Sequence, residues 1–179
     1  MFDPPHWGHY FMCQQALEEV PQLDEVILMP AWKHHWKPQV APAEDRYTMA
    51  KLLSSGHMSV SRLELERQEV SYTYDTVRLI KSRQDVNVYW IIGSDNVPFL
   101  DKWYRIDELM KEVTFIIFPR PGHPLSSVPE KSIIVRNTVH CGISSSLVRE
   151  RVARGRPITG MVPESVESYI RSKKLYEKI

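Results

Sequence analysis

The sequence predicts an α/β fold with a doubly wound, mostly parallel sheet in a single domain. Short apolar runs alternate along the chain with segments of helical periodicity, the pattern of parallel strands joined by helices. Two of these runs, residues 86–92 and 113–118, are predominantly apolar and therefore typical of strands covered by helices on both faces. A length of 179 residues, of which 42% are hydrophobic, supports one domain with a proper core and is short for two. We expect residues 1–179 to form that domain.

The apolar spacing then predicts each element in order. The chain opens with a turn at Asp3, Pro4 and Pro5, because two prolines fix φ and push the preceding residue out of the helical region. The mixed aromatic, basic and proline-rich stretch 31–42 is predicted to be a loop. Strands are predicted at residues 24–29, 58–65, 86–92, 113–118 and 132–135. Helices are predicted at residues 7–20, 43–55, 74–82, 103–111, 144–154 and 163–173.

Charge and cysteine content exclude several classes of protein. The formal net charge of +1 argues against a nucleic-acid partner, which usually needs a basic stripe. No apolar run approaches the ~20 residues of a membrane span, and no basic-then-apolar signal segment stands at the start. Cys13 and Cys141 are isolated and match no metal or redox spacing. We expect a soluble, cytoplasmic protein, and the sequence leaves its oligomeric state open.

The first candidate for chemistry is the start of the predicted helix 7–20. His6 and His9 are three residues apart and share a face, where free backbone N–H groups and the helix dipole favour an anion. Gly8 has no side chain, so a ligand could approach closely. A phosphate site with imidazole donors is one interpretation. Half of a metal site is another, although no further ligand stands at a usual spacing, and surface histidines without a role are a third.

The second candidate is the serine-rich segment before the predicted helix 144–154. Ser144, Ser145 and Ser146 precede the helix, so one hydroxyl can cap it while the others face an anion. Arg149 lies one turn further on and can return to the same helix start with a forked, permanently charged donor. An ordinary serine cap with a surface arginine is the alternative, and alone it is the better explanation. Together with the histidine segment, and in a parallel sheet of this class, a ligand site becomes the better explanation.

Three further positions carry polar or aromatic groups at the ends of predicted elements. Asp95 follows the buried strand 86–92 and could accept hydrogen bonds from ligand hydroxyls, or simply form an Asx-turn. Trp103 could stack on a flat ring or belong to the core. Thr73 lies among hydroxyl residues at a helix start, where capping is the default explanation.

These segments together resemble a known family. Residues 2–9 (Phe-Asp-Pro-Pro-His-Trp-Gly-His) with residues 143–149 (Ile-Ser-Ser-Ser-Leu-Val-Arg) are similar to the paired signature of the nucleotidyltransferases related to class I aminoacyl-tRNA synthetases. Other segments narrow the resemblance to the bacterial nicotinate-nucleotide adenylyltransferases, and the match runs over nearly the whole chain. These segments are residues 71–76, 92–96, Trp103, 120–122, 162–170 and Leu175-Tyr176.

The resemblance implies a Rossmann-like fold and transfer of AMP from ATP to nicotinate mononucleotide, with release of pyrophosphate. His6 and His9 would contact the ATP phosphates, with His9 on the α-phosphate. Ser145, Ser146 and Arg149 would hold the β- and γ-phosphates. Mg²⁺ would be bound chiefly through ATP oxygens, so a full protein metal site is not expected.

The remaining roles concern the sugar and the acceptor ring. By the same resemblance, Asp95 would bind a nucleotide sugar, and Thr73 would lie beside the pyridine ring. Trp103 would stack on that ring, and the backbone N–H of Tyr104 would meet its carboxylate. Lys37, in a loop that resembles the family's basic segment, could reach a phosphate. Arg46 is a further candidate for the substrate site.

Two departures from the family pattern stand out. The family's first strand and the glycine pair before Phe2 are absent from this sequence, so the domain is short at its N-terminus. Either the chain start is placed too late or part of the site is lacking. In addition, residues 33–37 (Lys-His-His-Trp-Lys) replace a proline pair followed by His and Lys.

Several alternatives remain open. Phosphopantetheine or another small molecule could be the acceptor, since the triple serine also resembles phosphopantetheine adenylyltransferase. The chain could instead be a non-catalytic nucleotide-binding remnant. A tRNA synthetase is disfavoured, because there is no room for a tRNA-binding domain and no basic surface. Preference for nicotinate over nicotinamide mononucleotide is not fixed by these residues.

Overall fold

The computed structural model describes residues 1–34, 38–125 and 127–177. Helices and strands alternate along these residues. The strands are β1 (Val26–Leu28), β2 (Met58–Val60), β3 (Val88–Gly93), β4 (Val113–Phe118) and β5 (Ser132–Ile134). The α-helices are α1 (Trp7–Glu19), α2 (Ala43–Leu53), α3 (Leu63–Arg67), α4 (Thr73–Arg83), α5 (Ile106–Glu112), α6 (Ser145–Ala153) and α7 (Glu164–Ser172). A 3₁₀-helix, Ser94–Lys102, follows β3 directly.

The strands form two parallel sheets that share one core. β1 pairs with β2, with Val26 opposite Met58. β3, β4 and β5 form the second sheet in that order, with Val88 opposite Val113. In the described ranges the two sheets exchange no ladder hydrogen bonds. One apolar cluster nevertheless joins residues of β1, β2 and β4 to α1 and α2, so the sheets belong to a single domain.

β4 explains why the domain has helices on both faces. Successive side chains of a strand point to opposite faces, and in β4 both faces are apolar. Ile116 and Phe118 join the cluster that contains α1. Phe115 and Ile117 join a second cluster, which contains residues of α4 and α5. The predicted doubly wound α/β fold is therefore confirmed.

A third cluster attaches the C-terminal helices to α2. Met49 of α2, Val148 of α6 and Ile170 of α7 are fully buried within it, together with Tyr176 near the end of the chain. This packing holds the start of α6 close to the N-terminal segment. None of the helices in the described part of the chain is both long and apolar enough to cross a membrane.

Two predicted elements differ from the structure. The strand predicted at 58–65 ends at Val60, and residues Leu63–Arg67 form α3 instead. The leucines at positions 63 and 65 alternate as in a strand, but the Ser61 hydroxyl accepts a hydrogen bond from the Leu63 N–H and starts a turn. The helix predicted at 103–111 begins only at Ile106, because Arg105 has a left-handed conformation with φ 53° and separates it from the 3₁₀-helix.

Candidate active site

Two helix N-termini that are far apart in the sequence lie side by side. The Ser145 hydroxyl donates a hydrogen bond to the Pro4 carbonyl oxygen over 2.8 Å. The Arg149 guanidinium donates through Nη1 to the Asp3 carbonyl oxygen over 2.7 Å. The start of α6 is therefore tied directly to the turn that precedes α1. The two predicted phosphate-binding segments therefore lie next to each other, as the sequence suggested.

His6 and His9 form a closely packed pair at the start of α1. Their ring centroids are 3.8 Å apart, and the His6 backbone N–H donates to Nδ1 of His9 over 3.2 Å. Burial, and then the charge of Arg120, lowers the pKa of His6 to about 4. Burial, and then the charge of His6, holds the pKa of His9 well below its usual range. Both imidazoles are therefore neutral near neutral pH and can donate one N–H each.

The His6 ring lies beside Gly8, where other residues carry a Cβ atom. A Cβ atom at Gly8 would lie 3.0 Å from Nδ1 and Cε1 of His6. The missing side chain at Gly8 therefore makes room for the His6 ring, and the close approach of a ligand to Gly8 stays a prediction. The Trp7 N–H is also occupied, because it donates to the Met161 carbonyl oxygen over 3.1 Å. Within the described ranges, the Nδ1 atom of His6 is buried and has no hydrogen-bond partner.

At the start of α6 the three serines have different tasks. Ser144 is the N-cap, and its hydroxyl accepts from the Leu147 N–H. The Ser145 hydroxyl already donates its proton to Pro4, so it is not available as a donor to a phosphate without rearrangement. Ser146 accepts from Nη2 of Arg149 over 3.3 Å. Ser145 can offer an anion only its backbone N–H, whereas Ser146 can offer both its backbone N–H and its hydroxyl proton. The first turn of a helix has no internal acceptors for these N–H groups.

Arg120 is a functional candidate that the sequence interpretation did not include among the site residues. Its Nε atom lies 3.1 Å from Oδ1 of Asp95, and its backbone N–H donates to the Ser94 hydroxyl. Gly93 permits this ion pair, because a Cβ there would lie 2.3 Å from Asp95 Oδ1 and 2.4 Å from Arg120 Nε. The signal available in the sequence was the Arg-Pro-Gly turn after β4. Because β4 runs parallel to β3, the turn that follows β4 lies beside the end of β3.

The residues predicted to receive the acceptor ring lie on neighbouring segments. Thr73 is the first residue of α4, and Tyr72 and Tyr74 on either side of it contact the ring of Tyr104. The Tyr72 and Tyr104 ring centroids are 4.6 Å apart. Trp103 is half-buried, and its ring meets Phe115 edge-on at 6.4 Å. Trp103 is thus partly a core residue, as the alternative interpretation held, and it keeps some exposed surface.

Arg46 is not a substrate-binding side chain in this structure. It is only 1% exposed, and its guanidinium donates to the carbonyl oxygens of Ala41, Ala31, Trp32 and Met1. The prediction that it contacts the substrate is therefore wrong. A cation buried in this way is held by carbonyl acceptors, and it fixes the loop after β1 to α2. Lys37, the basic candidate in the loop after β1, lies outside the described residues.

A protein-built metal centre is not visible in the described ranges, where no three His, Cys, Asp or Glu side chains are grouped closely enough to hold an ion. The groups around His6, His9 and Arg149 include imidazole and guanidinium N–H donors, which suit an anion.

Comparison with known proteins identifies the family of the chain. Residues 1–151 match the family model described as cytidylyltransferase-like. A protein of Geobacillus thermodenitrificans named "probable nicotinate-nucleotide adenylyltransferase" is 42% identical over 180 residues, which cover 98% of this chain and 82% of the relative. A protein of Bacillus cytotoxicus with the same name is 40% identical over 181 residues, covering 98% of this chain and 94% of the relative.

A solved structure shares the fold. The Plasmodium falciparum nicotinic acid mononucleotide adenylyltransferase complexed with NaAD superimposes with a TM-score of 0.84 over 99% of this chain and 94% of its own, at 19% sequence identity. At that identity the likeness supports the fold alone, whereas the family model and the sequence relatives carry the assignment. The chain therefore belongs to the cytidylyltransferase-like family and, within it, to the nicotinate-nucleotide adenylyltransferases.

Proposed function

We propose that this protein transfers AMP from ATP to nicotinate mononucleotide, giving nicotinate adenine dinucleotide and pyrophosphate. The observation that carries the proposal is the junction of the two helix N-termini, where Arg149 and Ser145 bond to Asp3 and Pro4. That junction collects neutral imidazole donors, backbone N–H groups and a guanidinium at one place, a set of groups suited to a polyphosphate.

The reaction has modest requirements for acid or base catalysis. The acceptor is a phosphate monoester whose second pKa is about 6, so near neutral pH it is mostly a dianion and needs no general base. One of its oxygens bonds to the α-phosphorus of ATP, and the bond from that phosphorus to the pyrophosphate oxygen breaks. What the protein must do is align two anions and stabilise the charge that develops on the leaving group. Positioning alone can supply roughly 7–11 kcal/mol of the barrier reduction.

The triphosphate would lie across the starts of α1 and α6. In this proposal His6 and His9 donate from their neutral rings, with His9 on the α-phosphate, and Arg149 with the N–H groups of Ser145 and Ser146 holds the β- and γ-phosphates. A low pKa suits these histidines, because a neutral ring keeps its donor without losing a proton as the reaction proceeds. Lys37 is proposed as an additional phosphate contact from the neighbouring loop.

Mg²⁺ is proposed to enter with ATP. In this proposal the ion is bound mainly by phosphate oxygens of ATP. When bound, the ion supplies electrostatic screening of the phosphates. The chain's own task is to orient the nucleotide.

The acceptor would lie between the β3 end and the aromatic residues. Asp95 is proposed to bind a ribose hydroxyl, Trp103 to stack on the pyridine ring, and the Tyr104 N–H to meet its carboxylate, with Thr73 alongside. Arg120, paired with Asp95 and within electrostatic range of both histidines, is proposed as a contact for the acceptor phosphate. Because the reaction uses ATP, we also propose a cytoplasmic location.

The direct test is to incubate the purified protein with Mg²⁺, ATP and one acceptor at a time, and to measure dinucleotide and pyrophosphate by chromatography. The acceptors are nicotinate mononucleotide, nicotinamide mononucleotide and phosphopantetheine. We expect turnover with nicotinate mononucleotide. Preferential turnover of phosphopantetheine would contradict the proposed acceptor. Calorimetric ATP binding without turnover of any acceptor would instead identify a nucleotide-binding protein without activity.

A further inference from the structure

The Asp3 carboxylate is a buried junction between three parts of the chain. Asp3 is only 1% exposed. Its Oδ2 atom accepts from the Val40 N–H over 2.7 Å, and its Oδ1 atom accepts from the Ala41 N–H over 3.1 Å and from the Tyr176 hydroxyl over 2.8 Å. The side chain therefore links the end of the loop after β1 and the C-terminal segment to the turn before α1.

Tyr176 reaches Asp3 through a specific backbone path. After α7 ends, Lys174 and Tyr176 have φ of 51° and 65°, a left-handed conformation that is unfavourable for residues with a Cβ. This path turns the chain back, so the Tyr176 ring packs in the cluster of α2, α6 and α7, and only 4% of the residue is exposed. Burial, and then the charge of Asp3, raises the pKa of Tyr176 far above its usual range, so the hydroxyl stays protonated and donates.

The other side of the same residue contacts the candidate active site. The backbone carbonyl of Asp3 accepts from Arg149 Nη1 over 2.7 Å, and the next carbonyl, that of Pro4, accepts from Ser145. Asp3 thus lies between the Tyr176 hydroxyl and the Arg149 guanidinium, which faces the proposed phosphate site. A shift of Asp3 would move both the carbonyl that orients Arg149 and the loop residues Val40 and Ala41.

We propose that Tyr176 is a positioning residue for the nucleotide site, acting through Asp3 on Arg149 and on the loop at Val40–Ala41. This inference rests on the proposed function. Tyr176 itself touches no substrate, and its hydroxyl fixes the residue on which the phosphate-binding arginine depends.

The chain offers a matched control for the experiment. The Tyr169 hydroxyl, on α7, donates to Oδ1 of Asp45 over 2.8 Å and likewise joins the C-terminal region to another part of the fold, but it has no contact with Asp3. Tyr176→Phe and Tyr169→Phe each delete one tyrosine-to-aspartate hydrogen bond. A purely structural role predicts the same behaviour for both variants.

The readouts are the ATP dissociation constant, from calorimetry, and the KM for each substrate. For Tyr176→Phe we expect weaker ATP binding by roughly fivefold to tenfold, with the KM for nicotinate mononucleotide within about twofold of the wild type. For Tyr169→Phe we expect both quantities to stay within about twofold. Amide hydrogen exchange at Val40 and Ala41 should accelerate in Tyr176→Phe only, because their acceptor loses its fixed position.

Equal ATP affinity and equal amide exchange in the two variants would overturn the positioning role. If Tyr176→Phe does not fold, Asp3→Asn replaces it, since the amide keeps the shape of the side chain but can no longer accept from Val40, Ala41 and Tyr176 together. That variant must show the same selective loss of ATP affinity. A wild-type protein that binds ATP without turnover would contradict the proposed function, while the ATP affinities of the variants would still decide the role of Tyr176.

Discussion

The backbone N–H of His6 donates a hydrogen bond to Nδ1 of His9, over 3.2 Å. Since this nitrogen is an acceptor, the proton of the neutral His9 ring lies on Nε2, on the side of the ring away from its own helix start. The first turn of α1 therefore fixes both the orientation and the tautomer of the residue that we place on the α-phosphate. Neutrality is kept by burial, which lowers the pKa of both histidines.

His9→Ala should reduce kcat much more than it weakens ATP binding. A donor placed where charge develops contributes roughly 3–4 kcal/mol to the transition state, so we expect a loss of about 10²–10³-fold in kcat. The measurement is steady-state kinetics together with calorimetric ATP binding. His57→Ala, at an exposed position on the turn before β2, is the control and should behave like the wild type. Comparable losses in kcat and in ATP affinity would count against the role of His9.

Gly93→Ala should disrupt the Asp95–Arg120 ion pair. The added Cβ would lie 2.3 Å from Asp95 Oδ1 and 2.4 Å from Arg120 Nε, so both side chains must move, although the backbone has an ordinary negative φ. We expect kcat/KM for nicotinate mononucleotide to fall by about tenfold or more, with a smaller change in the KM for ATP. Gly142→Ala is the control, because nothing lies within 4 Å of its Cβ position. An unchanged kcat/KM in Gly93→Ala would argue that the ion pair has no part in binding the acceptor.

The buried His6 should make the protein less stable in mild acid. Its pKa is lowered from 6.5 to about 4 in the folded state, so the folded protein binds fewer protons than the unfolded chain in this range. The stability contribution is fully present above pH 6.5 and is lost as the pH falls towards about 4, with a total on the order of 3 kcal/mol.

The pH prediction is checked by urea unfolding at several pH values for the wild type and for His6→Gln. The carboxyl groups and His9 are present in both proteins, so the difference between the two slopes reports the contribution of His6. We expect the free energy of unfolding to fall more steeply with decreasing pH in the wild type. Parallel curves would show that His6 is not held neutral by the fold.

Arg46→Met should destabilise the protein strongly. The substitution removes the donors for four carbonyl oxygens in a site that is almost closed to solvent, so we expect a loss of roughly 3–5 kcal/mol in the free energy of unfolding. Arg62→Met is the control, because Arg62 makes an exposed ion pair with Glu44 and should unfold close to the wild type. A stable Arg46→Met protein with a raised KM for nicotinate mononucleotide would restore the original substrate-binding prediction.

The sequence predicted the elements whose signal is local and strong. β3 and β4 are predominantly apolar runs, and they appear at nearly the expected positions. The prediction of a strand at 58–65 was wrong beyond Val60, because the spacing of Val60, Leu63 and Leu65 fits both strand and helix periodicity. The Ser61 hydroxyl accepts from the Leu63 N–H and favours a turn and a short helix there. Arg46 was misjudged for a related reason. An arginine at a helix start gives no sign in the sequence of whether carbonyl oxygens or a ligand will surround it.

By itself, the sequence determined the doubly wound α/β class, the two helix starts with polar residues and the family to which the chain belongs, because periodicity and motif spacing are properties of neighbouring residues. Only the tertiary structure decided which donors remain available to a ligand. It assigned the Ser145 proton to Pro4, the Arg46 guanidinium to the loop carbonyls and the Tyr176 hydroxyl to Asp3, pairs separated by up to 173 residues. Such partners are chosen by packing of the whole core, and no local pattern encodes them.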